Sequence, residues 1–218
     1  MIAVRLMGGL GNQMFQYALG RKLSLVHHTK LVMDTIFFEN IAEDDTPRHY
    51  ELDCFALKGS FLEPTKRPLE NPGPVYSGFK GSLRHLKHSL EGRAWHVYKE
   101  PHHNFDPQVL TQSNGTFFVG YWQTEKYFAD IRPQLLKDFS FRGEPSGNNK
   151  DLLEKITALE SVSLHVRRGD YVTNQNASKF HGTKGMDYYS QALEKITSKY
   201  RVLRFSYFLM ILNGANRI

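Results

Sequence analysis

Apolar runs alternate with glycine-rich or polar stretches along the chain, and this alternation predicts a mixed α/β fold. Residues 2–7 form a short apolar run that ends at glycines, which is typical of a buried strand. Residues 14–23 carry apolar side chains at helical spacing, and residues 31–34 predict a second strand. Strand, glycine-rich turn, helix and strand in this order predict a βαβ unit of the Rossmann type.

Further elements are predicted on both sides of a polar, glycine-bearing segment at 143–149, which is the candidate linker. The predicted elements are a helix at 81–90, a strand at 116–121, helical pieces within 127–139 that separate at Pro133, a helix at 151–159, a strand at 161–166 and a helix at 187–200. This organisation predicts two domains, at 1–148 and 149–218.

Composition bounds the class of protein. The chain has 218 residues, 40% of them hydrophobic, which suffices for one large or two small domains with cores. Its one cysteine, Cys54, excludes an internal disulfide framework and a cysteine-based structural zinc site within one chain. No signal peptide or transmembrane helix is expected, because no apolar run approaches the ~20 residues that span a bilayer. The expected location is the cytoplasm, with peripheral association at the inner face of the membrane as an alternative.

The net charge of +6 suits an anionic partner, and nucleic acid, anionic lipid and a nucleotide diphosphate all qualify. A glycine-rich turn at 8–13 is the first candidate for such a contact. Its glycines let the backbone approach a ligand, and the helix that follows offers unpaired N–H groups to an anion. The spacing differs from the dinucleotide-binding fingerprint. From the residues alone, the glycines at 8–13 are explained equally by contact with a ligand or by a simple turn.

The second candidate is the arginine pair Arg167 and Arg168, at the end of the predicted strand 161–166. An ion pair with Asp170, Glu154 or Glu160 would explain it structurally. A clamp on phosphate would explain it functionally, since the planar guanidinium group matches phosphate oxygens. Ligands of parallel sheets lie at the carboxyl ends of strands, where this pair falls. From the residues alone, neither the ion pair nor the phosphate clamp is favoured.

Three blocks of sequence together resemble the α-1,2-fucosyltransferases. Residues 165–172, His-Val-Arg-Arg-Gly-Asp-Tyr-Val, are similar to the donor-binding motif of that family, which α-1,6- and protein O-fucosyltransferases share in looser form. Residues 4–20, Val-Arg-Leu-Met-Gly-Gly-Leu-Gly-Asn-Gln-Met-Phe-Gln-Tyr-Ala-Leu-Gly, resemble the opening of the α-1,2 branch. Residues 120–128, Gly-Tyr-Trp-Gln-Thr-Glu-Lys-Tyr-Phe, resemble a third block. The blocks occur in the family's order along most of the chain.

The resemblance implies a GT-B-like glycosyltransferase with two Rossmann-like lobes. It also implies transfer of L-fucose from GDP-fucose to the 2-hydroxyl of a terminal galactose in a glycan, with inversion at the anomeric carbon. No metal and no cofactor besides the GDP-fucose donor would be needed. Nucleic acid is not an expected partner. Residues 1–148 would form the acceptor-side lobe, and residues 149–218 would begin the lobe that binds GDP-fucose.

Roles for individual residues follow from the same resemblance. Arg167 would contact the diphosphate and stabilise charge on the leaving GDP, with Arg168 beside it. His165 and Asp170 would orient that arginine, although a satisfied strand-end histidine and a salt-bridge carboxylate are structural alternatives. The donor-side residues of the glycine-rich turn would be Gly9, Gly11 and Asn12. The general base stays open among Asp34, Glu125 and Asp170.

The resemblance stops after Tyr200, where relatives continue with a strand of the form Phe-x-Phe-Ser-x-Asp. One permitted set of codons for residues 204–218, read two bases later, gives Ile-Phe-Leu-Phe-Ser-Asn-Asp-Ile-Glu-Trp, which contains that strand. The expectation is that residues from about 203 are out of frame and that the second lobe is incomplete. Independent sequencing of the locus tests this, because incompatible codons would exclude it.

Two other functions stay open at this stage. One is an inactive fragment of such an enzyme, which would bind GDP without turnover. The other is a basic nucleic-acid-binding protein, against which the aromatic residues are not interleaved with arginines as in single-strand binders. Salt-dependent binding to a polynucleotide would favour the latter.

Overall fold

The computed structural model describes residues 1–39, 47–68, 95–167, 185–199 and 204–210, with the backbone alone for 165–167 and 204–210. The chain divides into two compact units, Met1–Gly143 and Glu144–Ile218. None of the helices in these ranges is long and apolar enough to cross a membrane.

The first unit is built on a parallel β-sheet with strand order β3-β2-β1-β5-β4. Its strands are β1 (Ile2–Arg5), β2 (Leu31–Asp34), β3 (Ser60–Phe61), β4 (His96–Lys99) and β5 (Thr116–Val119). Among the described residues, its helices are α1 (Leu10–Val26), which connects β1 to β2, and α2 (Arg132–Asp138). Strands β1 and β2 are buried at every position, which explains their uninterrupted apolar runs.

The main core lies between the sheet and α1. Helix α1 contributes Tyr17, Leu19 and Leu23, all fully buried, and they pack with residues of β1 and β5. Gly20 permits this contact, because a Cβ there would lie 2.6 Å from Val4 Cγ1 and 2.7 Å from Leu31 Cδ1. A smaller cluster contains Ala3, Val32, Leu62 and Phe117.

The second unit contains a two-stranded parallel sheet. Its elements are α3 (Asn148–Thr157), β6 (Ser161–Arg167), α4 (Met186–Lys199) and β7 (Arg204–Met210). Strands β6 and β7 pair along their whole length, from Ser161 opposite Arg204 to Arg167 opposite Met210. Helix α4 lies between the two strands in sequence, so this unit also follows a strand–helix–strand order.

The structure confirms the predicted α/β class, the parallel sheet and the β1–α1–β2 unit, but corrects two details. Helix α1 begins at Leu10, so most of the predicted turn at 8–13 is the first turn of the helix. In 127–139 the chain forms short 3₁₀ turns before α2, and Pro133 lies in the first turn of α2 instead of separating two helices. Proline is accepted there because a first-turn N–H has no intrahelical partner. The predicted helix 81–90 lies outside the described residues.

A buried ion-pair network joins the carboxyl ends of β1 and β2. The side chain of Asp34 has no solvent exposure, and its two oxygens lie 2.8 Å from Arg5 Nε and 2.8 Å from Arg67 Nε. Arg67 also hydrogen-bonds to Glu39, which lowers the pKa of that exposed carboxyl group. Asp34 therefore provides the buried negative charge between two arginines.

We expect Asp34→Asn to lower the free energy of unfolding by about 3 to 5 kcal/mol, because it removes the buried negative charge that the guanidinium groups of Arg5 and Arg67 share. Urea unfolding followed by circular dichroism measures the change. The matched control is Asp53→Asn at an exposed position, where a change within about 0.5 kcal/mol is expected. A loss at Asp34 no larger than at Asp53 would contradict this assignment.

Candidate functional site

The carboxyl ends of β1 and β5 form a topological switch point in the first unit. From β1 the chain passes through α1 to β2 on one side, whereas β5 pairs with the other side of β1. Ligands of open parallel sheets bind at the carboxyl ends of the strands, at the point where the strand order changes direction. We refer to residues 6–13 and 120–125, which follow these two strands, as the switch-point segments.

The first switch-point segment ends in an uncapped helix N-terminus. Gly9 occupies the N-cap position of α1 without a side-chain hydrogen bond, and the first turn of the helix contains no acidic residue. The helix thus presents N–H groups and the positive end of its dipole. Gly8 has φ +71°, and a Cβ on it would lie 2.4 Å from Asn12 Nδ2. Only glycine leaves room there for the Asn12 amide.

Gly11 and Asn12 lie in the first turn of α1, with Gly11 exposed and Asn12 half-buried. No atom of the described residues comes within 4 Å of the position that a Cβ on Gly11 would take. Packing within the described residues therefore does not require glycine at this position. Gly9 is more enclosed, because its Cβ position lies 3.7 Å from the guanidinium of Arg48.

Two buried glutamines fix this segment, and the sequence analysis missed both. Gln13 Nε2 donates to the carbonyls of Gly8 at 2.9 Å and His49 at 2.8 Å, while its Oε1 accepts from the Glu51 N–H at 2.9 Å. Gln16 Oε1 accepts from the Met7 N–H at 2.8 Å. Both side chains are fully buried. The available signal was two amide residues one turn apart on the buried face of an apolar helix.

The second switch-point segment holds a strained backbone conformation. Trp122 has φ +56° and is fully buried among Tyr98, Phe118 and Tyr127. The carboxylate of Glu100, directly after β4, accepts from the Tyr121 N–H at 2.6 Å and the Trp122 N–H at 3.1 Å. Left-handed backbone at a bulky residue is uncommon and persists where its surroundings enforce it. Trp122 is a core residue of the first unit.

Two tyrosines stabilise the chain around Glu100. Tyr98 Oη donates to Asp106 Oδ2 at 3.0 Å, and the Asp106 N–H donates to Tyr127 Oη at 3.0 Å. Burial raises the pKa of both phenols, so both remain neutral hydroxyl groups near neutral pH. These bonds fix the segment after β4, from which Glu100 reaches the switch point.

The two switch-point segments meet through a pair of side-chain amides. Gln123 Nε2 donates to Asn12 Oδ1 at 2.7 Å, across 111 positions of sequence. Gln123 belongs to the block at 120–128, but nothing in the sequence singles it out. The structure thus brings Asn12 of one predicted site together with a residue that had no assigned role.

The three candidates for a general base differ in their surroundings. Asp34 is fully buried and ion-paired with two arginines, so its carboxylate is not available to a substrate. Glu125 is exposed in the second switch-point segment. Asp170 lies outside the described residues. Within the described ranges, no three His, Cys, Asp or Glu side chains are grouped to hold a metal ion.

The second unit contains the remaining predicted site residues. His165 and Arg167 belong to β6, where their backbones lie opposite Phe208 and Met210 of β7. The described part of the strand reaches Arg167, so the predicted position of the arginine pair at its end stays a prediction. Arg168 and Asp170 lie outside the described residues, so the contacts predicted for this motif stay predictions.

We expect Glu100→Ala to lower the free energy of unfolding by about 2 to 4 kcal/mol, because it removes the charged acceptor of two N–H groups. It should also speed amide hydrogen exchange at Tyr121 and Trp122. Glu100→Gln keeps one acceptor oxygen and should cost roughly half as much. The control is Glu63→Gln, a surface partner of Lys66, with an expected change within about 0.5 kcal/mol. Unchanged exchange at 121 and 122 would contradict the anchoring role.

Comparison with known proteins identifies relatives along nearly the whole chain. An alpha-1,2-colitosyltransferase of Escherichia coli is 29% identical over 211 residues, which cover 95% of this chain and 68% of that protein. The O-antigen biosynthesis glycosyltransferase WbnK of Escherichia coli is 33% identical over 210 residues, or 88% of this chain and 66% of that protein. The chain thus spans about two thirds of the length of these relatives.

No solved structure matches the chain. Residues 84–209 match the family Glycosyl transferase family 11, a range that includes the second switch-point segment, β6 and the arginine pair. This match covers more than half of the sequence. Together with the relatives and the parallel α/β fold, it shows that the chain belongs to glycosyl transferase family 11.

Proposed function

We propose that the protein transfers L-fucose from GDP-fucose to the 2-hydroxyl of a terminal galactose in a glycan. The observation that carries this is the family match at 84–209, since it spans the segment that resembles the donor-binding motif of α-1,2-fucosyltransferases. The chain spans about two thirds of the length of its relatives, so the activity is proposed for the whole protein. The proposed location is the cytoplasm or the inner face of the membrane.

The proposed donor site is centred on Arg167 in the second unit. Arg167, at the end of β6, would bind the diphosphate and stabilise the charge that develops on the departing GDP. Arg168 would add positive charge, and His165 and Asp170 would orient the arginine. Guanidinium groups would thus supply the counter-charge that a metal ion supplies in other transferases, so neither metal nor a further cofactor is part of the proposal.

The glycine-rich start of α1 would contribute to the same reaction from the acceptor-side lobe. Gly9 and Gly11 leave the backbone accessible, and the uncapped first turn offers N–H donors to an anionic or hydroxyl oxygen. Asn12 adds a side-chain amide beside them. Inversion would follow from attack of the galactose hydroxyl on the face of the sugar opposite the departing GDP. GT-B architecture, with a second Rossmann-like lobe, is part of this proposal.

Transfer of colitose is a second candidate, because one relative is named for that activity. Colitose is fucose without its 3-hydroxyl group, so one pocket can accept both sugars unless a buried polar group requires that hydroxyl. The two candidates therefore differ in the donor sugar while sharing the nucleotide and the mechanism.

We expect the alternative-frame version of the protein, continued to the relatives' length, to transfer sugar from GDP-fucose or GDP-colitose to a galactose-terminated acceptor. The 218-residue chain should be slow or inactive, because the lobe proposed to bind the nucleotide would be shortened. Product masses measure transfer and identify the sugar, and methylation analysis locates the new bond. Full activity of the 218-residue chain would show that the added residues of the extended protein are not needed for transfer. If the extended protein transfers sugar from neither donor, the proposed function is wrong.

Arg167→Lys in the extended protein should lower turnover by roughly two to three decades, which corresponds to about 3 to 4 kcal/mol of transition-state stabilisation. Lysine keeps the charge but loses the bidentate fork. The melting temperature should change little, and Arg168→Lys, the adjacent control, should have a milder effect. An Arg167→Lys protein that melts much earlier, yet transfers sugar at a near-normal rate in its folded fraction, would show that the arginine is structural.

A further inference from the structure

Phe61 is an exposed aromatic residue at the carboxyl end of β3, the edge strand of the first sheet. Its side chain is 54% exposed, although the next residue, Leu62, is buried. Phe61 pairs with Met33 of β2, and paired residues of parallel strands point to the same face of the sheet. Because Met33 belongs to the main core beneath α1, the Phe61 ring lies on the α1 side of the sheet.

The ring of Tyr50 holds the exposed ring of Phe61 in place. The two rings meet edge to face, with their centroids 5.3 Å apart and an interplanar angle of 82°, which is a favoured geometry for an aromatic pair. Tyr50 is half-buried and packs against the main core. The exposed ring of Phe61 thus rests on a ring that is anchored in the core, and the pair forms a continuous aromatic surface.

This aromatic pair lies beside the first switch-point segment. The buried side chain of Gln13 donates to the carbonyl of His49 at 2.8 Å and accepts from the N–H of Glu51 at 2.9 Å, and these two residues flank Tyr50. The carboxyl ends of β1, β2 and β3 share one edge of the parallel sheet, and ligands of such sheets bind at that edge. Tyr50 and Phe61 therefore lie where a substrate of the first unit is expected.

The charged groups between the aromatic pair and α1 have opposite signs. The guanidinium of Arg48 lies 3.7 Å, and the carboxylate of Glu51 4.0 Å, from the position that a Cβ on Gly9 would take. The carboxylate would repel a phosphate group, whereas the hydroxyl groups of an uncharged sugar can donate to a carboxylate and accept from a guanidinium. An aromatic surface flanked by a few polar groups of both signs therefore suits a neutral sugar better than an anion.

We propose that Tyr50 and Phe61 form the subsite for the terminal galactose of the acceptor glycan, with the sugar stacked on the Phe61 ring. This inference rests on the proposed function. Galactose has an axial 4-hydroxyl, so its C–H groups at C3, C4 and C5 share one face of the sugar. The weakly positive hydrogens of these groups are attracted to the negative face of an aromatic ring. Stacking through this face leaves the 2-hydroxyl at the rim of the sugar, where it is free to react.

Steady-state kinetics of the extended protein test this subsite, with lactose as the galactose-terminated acceptor. We expect Phe61→Ala to raise KM for lactose at least about fivefold, with KM for GDP-fucose changed by less than roughly twofold. Phe61→Trp keeps an aromatic face and should keep KM for lactose within about threefold of wild type. The matched control is Phe141→Ala, which removes an exposed phenylalanine that contacts Phe55, and it should equal wild type. An unchanged KM for lactose in Phe61→Ala, or an equal rise in both KM values, would overturn the proposal.

A binding experiment on the 218-residue chain separates this inference from the proposed function. Lactose and cellobiose differ only in the configuration of the 4-hydroxyl of the terminal sugar, and saturation-transfer NMR detects the binding of each without turnover. Wild type and Phe141→Ala should bind lactose in preference to cellobiose, with the strongest transfer to the hydrogens at C3, C4 and C5 of galactose, and Phe61→Ala should lose this binding. That result would support the subsite even if the extended protein transferred no sugar, which would disprove the proposed function alone. No binding of lactose by wild type, or equal binding by Phe61→Ala, would overturn the inference and leave the proposed function in place.

Discussion

The close contact of α1 with β1 and β2 at Gly20 is the constraint on which the first unit depends. Any side chain at this position would overlap Val4 and Leu31, so the helix approaches the sheet more closely than a larger residue allows. That approach buries Tyr17 and Leu23 in one core and directs the N-terminus of α1 to the carboxyl end of β1. The switch-point site thus depends on a residue two to three turns away from it.

The C-terminal half of α1 is held by a buried polar group as well as by packing. Tyr17 Oη and Arg21 Nε both donate to Asp138 Oδ2 at 2.8 Å, and the Lys58 N–H donates to Tyr17 Oη at 2.9 Å. Burial is the main cause of the raised pKa of Tyr17, which keeps the phenol protonated and able to donate. The helix is therefore fixed at its start by Gln13 and Gln16 and near its end by Asp138.

The sequence predicted elements that short apolar runs and turn residues delimit, and it failed where backbone geometry decides. The runs at β1 and β2 are buried at every position, and their short length and flanking turn residues indicated strands. The left-handed backbone of Trp122 could not be predicted, because Glu100, 22 positions earlier, enforces it. Nor could the pairing of Asn12 with Gln123, which requires β5 to lie beside β1. The arginine motif was assigned a function through resemblance to a family. Its residues alone favoured neither the structural nor the functional explanation.

The pairing of β1 with β5 has a consequence for how the chain folds during synthesis. Ala3 pairs with Phe117 and Val4 with Phe118, so β1 lies at the centre of the sheet. It gains its second neighbour only after β5 has been synthesised. Until residues 116–119 leave the ribosome, β1 lacks its neighbour β5, and the backbone N–H and C=O groups on that edge stay without their partners in the sheet. Closing so long a loop slows formation of the sheet relative to local elements such as α1. The central position of β1 thus leaves an open strand edge in the nascent chain, at the strand that later supports the switch-point site.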